Sequence, residues 1–278
     1  MNFAAKYFGM IKTRILLFAV AALLIIMLFS LPKSVVENEA DSIDNKEIVA
    51  NTEGNPHETG VDSDQAETFS RLNQQLLDSE DSEKSLIFAD SLAMLYISLN
   101  KYDSAAQFFD LIAEKAPTRE NWLKAGNTYY DAFGFAMDAE KRRILGEKAA
   151  VYFNRILEEE PANFEVKNKL AMTYVSSTNP MQGVMMLREI LQQDPQNEQA
   201  LFNLGVLSMQ SGQYDKAVER FSNLVELYPK NTQAHFFLGV SYLETGASDK
   251  AKEQFLRVKS LDDNPSVQAT VDSYLEDM

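Results

Sequence analysis

The sequence predicts an all-α protein, a right-handed superhelix of stacked helix hairpins (an α-solenoid), with one transmembrane helix near its N-terminus. Three observations carry this. Leu204-Gly205, Ala217 and Phe221 recur as Leu238-Gly239, Ala251 and Phe255, each shifted by 34 residues, and a period of that length marks stacked helix pairs. Small residues stand at fixed points of the period, where two helices must touch. Far upstream, Ile15 to Leu31 is an uninterrupted, uncharged apolar run of 17 residues.

One period before Leu204-Gly205 the same places hold Leu170-Ala171, Tyr174, Gly183, Leu187, Ile190 and Pro195. Further back the scheme reappears as Leu92-Ala93, Tyr96, Tyr102, Ala105, Phe109, Ile112 and Pro117. Between these lie Trp122, Ala125-Gly126, Tyr129, Ala149, Phe153, Ile156 and Pro161. Five units follow: 86–118, 119–163, 164–197, 198–231 and 232–265. Within 198–231, Leu201, Leu204, Gly205 and Ser208 fall at helical spacing on one face. Ser211-Gly212-Gln213 ends the first helix, Gly212 supplying the positive φ of a C-cap. Tyr228-Pro229 ends the second, because proline drives the preceding residue out of the helical region.

These residues match W-x2-L-G-x2-Y followed by a small residue, an aromatic and Pro, so the chain resembles the tetratricopeptide repeat superfamily over roughly 180 residues. At the C-terminus, residues 266–278 place Val267, Val271, Tyr274 and Leu275 on one face, with Gln268, Asp272, Glu276 and Asp277 outward, as a capping helix does. Asp64 with Glu67 reads as a variant capping box before Phe69, Leu72 and Leu76, giving an N-terminal capping helix within 65–85.

Residues 15–31 span about 26 Å as a helix, near the lower limit for a bilayer. The run exceeds the usual signal-peptide core and no small-x-small site follows it, which favours an anchor over a cleaved signal. Lys6, Lys12 and Arg14 precede it and acidic residues dominate after it, so residues 1–14 are expected in the cytoplasm. The repeats are then expected in the periplasm of a bacterium, held at the inner membrane. From 32 to 64 the chain is polar and acidic without apolar periodicity, the composition of a disordered tether. Residues 33–85 hold 14 acidic and 4 basic side chains, and the whole chain carries −15. That balance argues against nucleic acid, which needs a basic face.

Nothing points to an enzyme or a cofactor. There are two histidines and no cysteine, no phosphate loop and no zinc-binding helix motif. His57 falls in the tether, and His235 occupies the place of Trp122 in its own unit, where a structural role is expected. Met181, Met185 and Met186 offer thioethers, yet their helical spacing beside Val184, Leu187 and Leu191 suits adaptable packing better than a soft metal.

The resemblance implies that the first helix of each unit lines a concave groove. The inward residues would be Met94 and Ile97; Leu123, Asn127 and Tyr130; Met172 and Val175; Phe202, Asn203, Val206 and Met209; Phe236, Val240 and Leu243. A mainly apolar groove suits a helical or extended protein segment. Family members that hold acidic chaperone tails use Lys and Asn where Asp90 and Met94 stand here, so that clamp is broken. A second contact surface is expected in unit 119–163. There 27 residues separate Trp122 from Ala149, against 16 between Leu201 and Ala217. The 11 added residues make almost three turns and preserve the packing faces. Phe133, Phe135 and Met137 then lie beside Lys141, Arg142 and Arg143. The expected function is a non-enzymatic scaffold or chaperone-like adaptor. The layout is similar to ancillary repeat proteins of the secretion translocon and to repeat subunits that hold apocytochrome. Self-association, with the C-terminal helix of one copy in the groove of another, is the structural alternative.

Overall fold

A computed structural model describes residues 63–79 and 81–278; residues 1–62, which include the expected anchor and most of the tether, lie outside the described residues. Every described element is helical. The helices are α1 Ser63–Asp78, α2 Ser82–Ser98, α3 Tyr102–Lys115, α4 Arg119–Phe135, α5 Ala139–Glu159 and α6 Phe164–Val175, followed by α7 Pro180–Gln193, α8 Glu198–Gln210, α9 Tyr214–Leu227, α10 Thr232–Glu244, α11 Ser248–Leu261 and α12 Pro265–Glu276. Among the described residues no helix is long and apolar enough to cross a membrane.

From α2 onward the helices pair in order, each packing on its sequence neighbour, so the described chain is an α-solenoid. First helices start at side-chain caps. Asp81, Thr118, Asn163, Asn197, Asn231 and Asn264 each accept a hydrogen bond from a backbone N–H in the opening turn, satisfying donors that the helix itself leaves free. Second helices mostly lack such a cap, since the preceding turn folds tightly under them. Gln213 N donates to Ser208 O at 2.8 Å and Ala247 N to Tyr242 O at 2.8 Å. These closures need one left-handed residue, supplied by Gly212 (φ 69°), Gly246 (φ 77°) and, in the first unit, Asn100 (φ 57°).

The helix pairs lock at the small residues. A Cβ on Gly126 would sit 2.9 Å from the Phe153 ring, on Gly205 2.6 Å from Phe221, and on Gly239 2.8 Å from Phe255. In the third unit the glycine has moved to the second helix: Gly183 faces the Ala171 carbonyl, where a Cβ would come within 2.2 Å, and Leu187 replaces the phenylalanine. Ala217, Phe221, Leu224, Ala251, Phe255 and Val258 are fully buried around these contacts.

Both ends are covered. Phe69 of α1 meets Tyr96 at 4.8 Å between ring centroids, and Leu72 is buried. On α12, Val271 is fully buried and Tyr274 stacks on Phe255 at 5.1 Å. Gln268, expected to face outward, does not. Gln268 Nε2 donates to Lys259 O at 2.9 Å and Asp262 O at 2.6 Å, closing the free carbonyl end of α11, while Asp272 pairs with Lys259.

The second unit holds the long hairpin. α4 has 17 residues and α5 has 21, against 13 and 14 in α8 and α9. All the extra length lies at the turn between them, because α4 and α8 begin at the same place in the period. The hairpin leans on the first unit: Phe135 stacks on Tyr102 at 5.0 Å, and Lys141 Nζ reaches Asp103 at 2.6 Å.

The glycines differ in what they meet, which gives a direct test. Gly134 lies in α4 with nothing within 4 Å of a built Cβ, so Gly134→Ala stabilises by about 0.5–1 kcal/mol through helix propensity. Gly183→Ala drives a methyl into a backbone carbonyl and costs about 1–3 kcal/mol. Chemical denaturation of the two variants measures both; equal effects would contradict the close approach at Gly183.

Candidate partner-binding groove

First helices approach first helices of adjacent units, α6 with α8 and α8 with α10, whereas no pair of second helices comes into comparable contact. α6, α8 and α10 thus crowd along one side of the stack, the side on which the groove is expected. Asp90 and Lys124 mark this arrangement. They stand 34 positions apart, one on α2 and one on α4, and meet at 3.2 Å.

The expected groove residues are distributed unevenly. Met94 is the most open, at 55 % exposure. Ile97, Leu123, Tyr130, Met172, Phe202, Val206 and Met209 are half-buried, each with part of its surface on a core cluster, and Asn127 is half-buried beside them. Asn203 is buried, and its Oδ1 accepts from Gln199 Nε2 at 3.0 Å, so it serves α8 itself and not the groove surface. Val175 touches the Gly183 position and belongs partly to the contact between α6 and α7.

Phe236, Val240 and Leu243 pack on the same buried cluster as Val267, Tyr274 and Leu275 of α12, and Phe236 meets Tyr274 edge-on at 5.5 Å. The fifth unit's inner face is therefore partly covered by the chain's own last helix. The same contact answers one expectation about self-association: α12 is already seated, and lying in another copy's groove would require it to leave this site. Phe202 also works inward, meeting Phe221 at 5.9 Å and Phe237 at 5.5 Å. A Phe202→Glu change thus combines a surface effect with a core one.

Polarity divides the groove. At the α2–α4–α6 end, Lys124 is held by Asp90, and Lys169 Nζ is held by Asn127 Oδ1 at 2.9 Å and Glu165 Oε1 at 2.9 Å. Exposed pairs of this kind contribute about 0–1 kcal/mol each, but they consume the cations. Toward α8, Met172, Phe202, Val206 and Met209 form a half-exposed apolar stretch.

The second surface needs correction. Phe133 is buried, stacked on Tyr130 at 5.6 Å and packed over Gly146, so it is core. The helix period explains it: Phe133 continues the inward line of Ala125, Tyr129 and Ala132. Arg142 donates to Ala136 O at 2.7 Å, and Arg143 pairs with Glu140 and Glu147, so both guanidinium groups are committed within the hairpin. Phe135 and Met137 alone stand out, 69 % and 95 % exposed.

His235 is buried. Its Nδ1 lies 2.7 Å from Gln254 Oε1 and its Nε2 3.1 Å from Pro229 O, a structural tie between turn and helix pair. Met181 and Met185 remain exposed on α7 and do not fill the core as their spacing suggested, although Met186 does pack inward. Among the described residues no group of three or more His, Cys, Asp or Glu is placed to hold a metal. Sequence reasoning missed Asp131, which sits beside Tyr130 and Lys169. The residue is exposed, and partial desolvation raises its carboxyl modestly above the usual range, with Lys169 opposing.

A raised folded-state pKa means that folding takes up a proton between the unfolded and folded values, so ionised Asp131 lowers stability above its folded pKa and costs nothing below the unfolded one. Asp131→Asn accordingly raises the melting temperature at about pH 7, and the gain fades toward about pH 3, below the ordinary aspartate range. Thermal unfolding at both pH values checks this; an unchanged gain at low pH would contradict it.

Comparison with known proteins bears on the repeats. The chain is similar to crystal structures of MamA: one at 18 % identity, covering 61 % of this chain and 94 % of that one with a TM-score of 0.47. MamA AMB-1 matches at 20 %, 68 %, 98 % and 0.43, and MamA RS-1 at 16 %, 63 %, 93 % and 0.47. A search of curated protein sequences found no match. Residues 179–225 and 208–271 match the family described as tetratricopeptide repeat. The matched stretch is the one in which the Leu-Gly, Ala and Phe landmarks recur 34 residues apart, so residues 179–271 carry tetratricopeptide repeats.

Proposed function

We propose that the protein is a non-enzymatic scaffold or chaperone-like adaptor that holds a helical or extended protein segment in the concave groove while a membrane helix at residues 15–31 keeps it at the bacterial inner membrane. One observation supports the grip above all. Met172, Phe202, Val206 and Met209 remain half-exposed on adjacent first helices, although the core beneath them is complete. A run of apolar side chains that keeps part of its surface open can serve as a docking site when it is contiguous.

The segment that fits is amphipathic. Its apolar side would cover α6 and α8, at roughly 25 cal/mol per Å² before the entropic cost of association. Its polar side would run past Asn127 and the self-paired cations of α4 and α6. With Lys124 and Lys169 already neutralised, the groove does not select an acidic tail. Anchoring adds affinity by confining the domain near other membrane proteins, which raises the effective concentration of partners there.

A photoreactive residue at Met172 tests the grip in intact cells. A discrete crosslinked species is expected, lost on Val206→Glu with Met209→Glu and retained on Met181→Glu with Met185→Glu, which alters the exposed methionines of α7 instead. Loss in both variants, or in neither, would contradict a groove lined by the first helices.

A further inference from the structure

We infer that Met172 on α6 and Met209 on α8 are sites of reversible oxidation to methionine sulfoxide, and that oxidation there releases a segment held in the groove; this rests on the groove reading above. The distribution of sulfur in the chain carries the inference. Residues 63–79 and 81–278 hold eight methionines, and none of them is among the buried residues. The buried apolar core is built from alanine, leucine, isoleucine, valine, phenylalanine and tyrosine. With no cysteine anywhere in the chain, the thioethers are the only sulfur it offers an oxidant.

The repeats show what packing asks for at these two places. Met172 occupies the position held by Val206 and Val240 in the next two units, and Met209 that held by Val175 and Leu243 in the units on either side, each at a shift of 34 residues or twice that. A branched aliphatic side chain therefore fits both, and shape alone does not call for methionine. Methionine adds chemistry. Its thioether takes up one oxygen atom and becomes polar, which disrupts apolar contacts made through it. Both residues are half-buried, with part of their surface open in the apolar stretch shared with Phe202 and Val206.

Hydrogen peroxide supplies the oxygen. A lone pair of the sulfur attacks one peroxide oxygen; the S–O bond forms as the O–O bond breaks, and the departing hydroxide leaves as water after taking the remaining peroxide proton. Sulfur loses two electrons and peroxide gains them. Methionine sulfoxide reductases reverse the change, returning the oxygen as water while two thiols become a disulfide. A segment lying over α6 and α8 then has to bury a sulfoxide oxygen without a partner, which weakens the hold roughly tenfold for each site. The fold is spared, because no methionine of the described residues stands in the buried core. Met137, Met181 and Met185 are exposed and lie off the first helices, so they react first and consume mild oxidant before the groove is altered.

The full chain in intact cells tests this, with a photoreactive residue at Val206 as the probe and hydrogen peroxide as the oxidant. Peptide mass mapping reads which methionines have gained oxygen. The crosslinked species seen before peroxide should persist while only Met137, Met181 and Met185 are oxidised, and fall by roughly tenfold or more once Met172 and Met209 are. It should return when coexpressed sulfoxide reductases have restored both. Met172→Val with Met209→Leu installs the residues of the neighbouring units; this variant should crosslink like the natural chain and keep doing so through the same peroxide. The helicity of the purified full chain should not change on oxidation. An unchanged crosslink with both sulfoxides formed, equal loss in the variant, escape of these two methionines from peroxide, or loss of helicity overturns the switch and leaves the groove reading standing. Absence of any crosslink before peroxide overturns the groove reading, and the switch with it.

Discussion

The close approach of each first helix to the second helix of its unit, a glycine or alanine set against a buried ring or branched side chain, is the constraint on which the rest of this structure depends. Where Gly205 lies under Phe221 and Gly239 under Phe255, the absent side chain brings the axes together, and the ring fills the space that remains. The distance between the helices then fixes how far the first helix leans inward. The third unit obeys the same constraint with different residues, moving the glycine to Gly183 and shrinking the ring to Leu187. Interiors are packed too densely for such a swap to be free of compensation, and here both partners change together.

Function follows from what that packing leaves over. Each first helix spends one face on its partner and shares another with its neighbours, so only a narrow stripe stays open. At the N-terminal end the stripe is tied up in ion pairs and amide contacts, as between Asp90 and Lys124. Its middle is apolar, and its far end is partly occupied by α12. The two ends of the stripe thus differ chemically. The long hairpin belongs to another edge altogether. Because Phe133 is core while Phe135 and Met137 are not, the added residues extend the unit without rebuilding its interior.

Much of this was legible in the sequence, because the 34-residue period fixes helix order, turn positions and the buried landmarks at once. The positive φ at Gly212 and the covering role of Val271 and Tyr274 were visible for the same reason. What the period did not disclose were relations across units. Nothing in the local pattern told that Gln268 reaches back to the end of α11, that Phe202 lies edge-on to Phe237 in the next first helix, or that Arg142 bonds its own turn. Asn203 illustrates the difficulty: its spacing is nearly that of its groove neighbours, but one step of about 100° on the helix turns it from the open stripe into a buried place where it bonds Gln199 of its own helix. Asp131 escaped notice because a single carboxylate on a mixed helix carries no motif, and only the neighbouring Lys169 and its partial desolvation set it apart.

The contact between Gly205 and Phe221 can be measured directly by a double-mutant cycle on chemical unfolding, combining Gly205→Ala with Phe221→Leu. If the missing side chain is what admits the ring, the alanine destabilises the natural chain markedly but costs far less once leucine has replaced phenylalanine, leaving a clear coupling energy between the two sites. Additive effects, with no coupling, would show that the two helices are spaced by something other than this contact and would contradict the account.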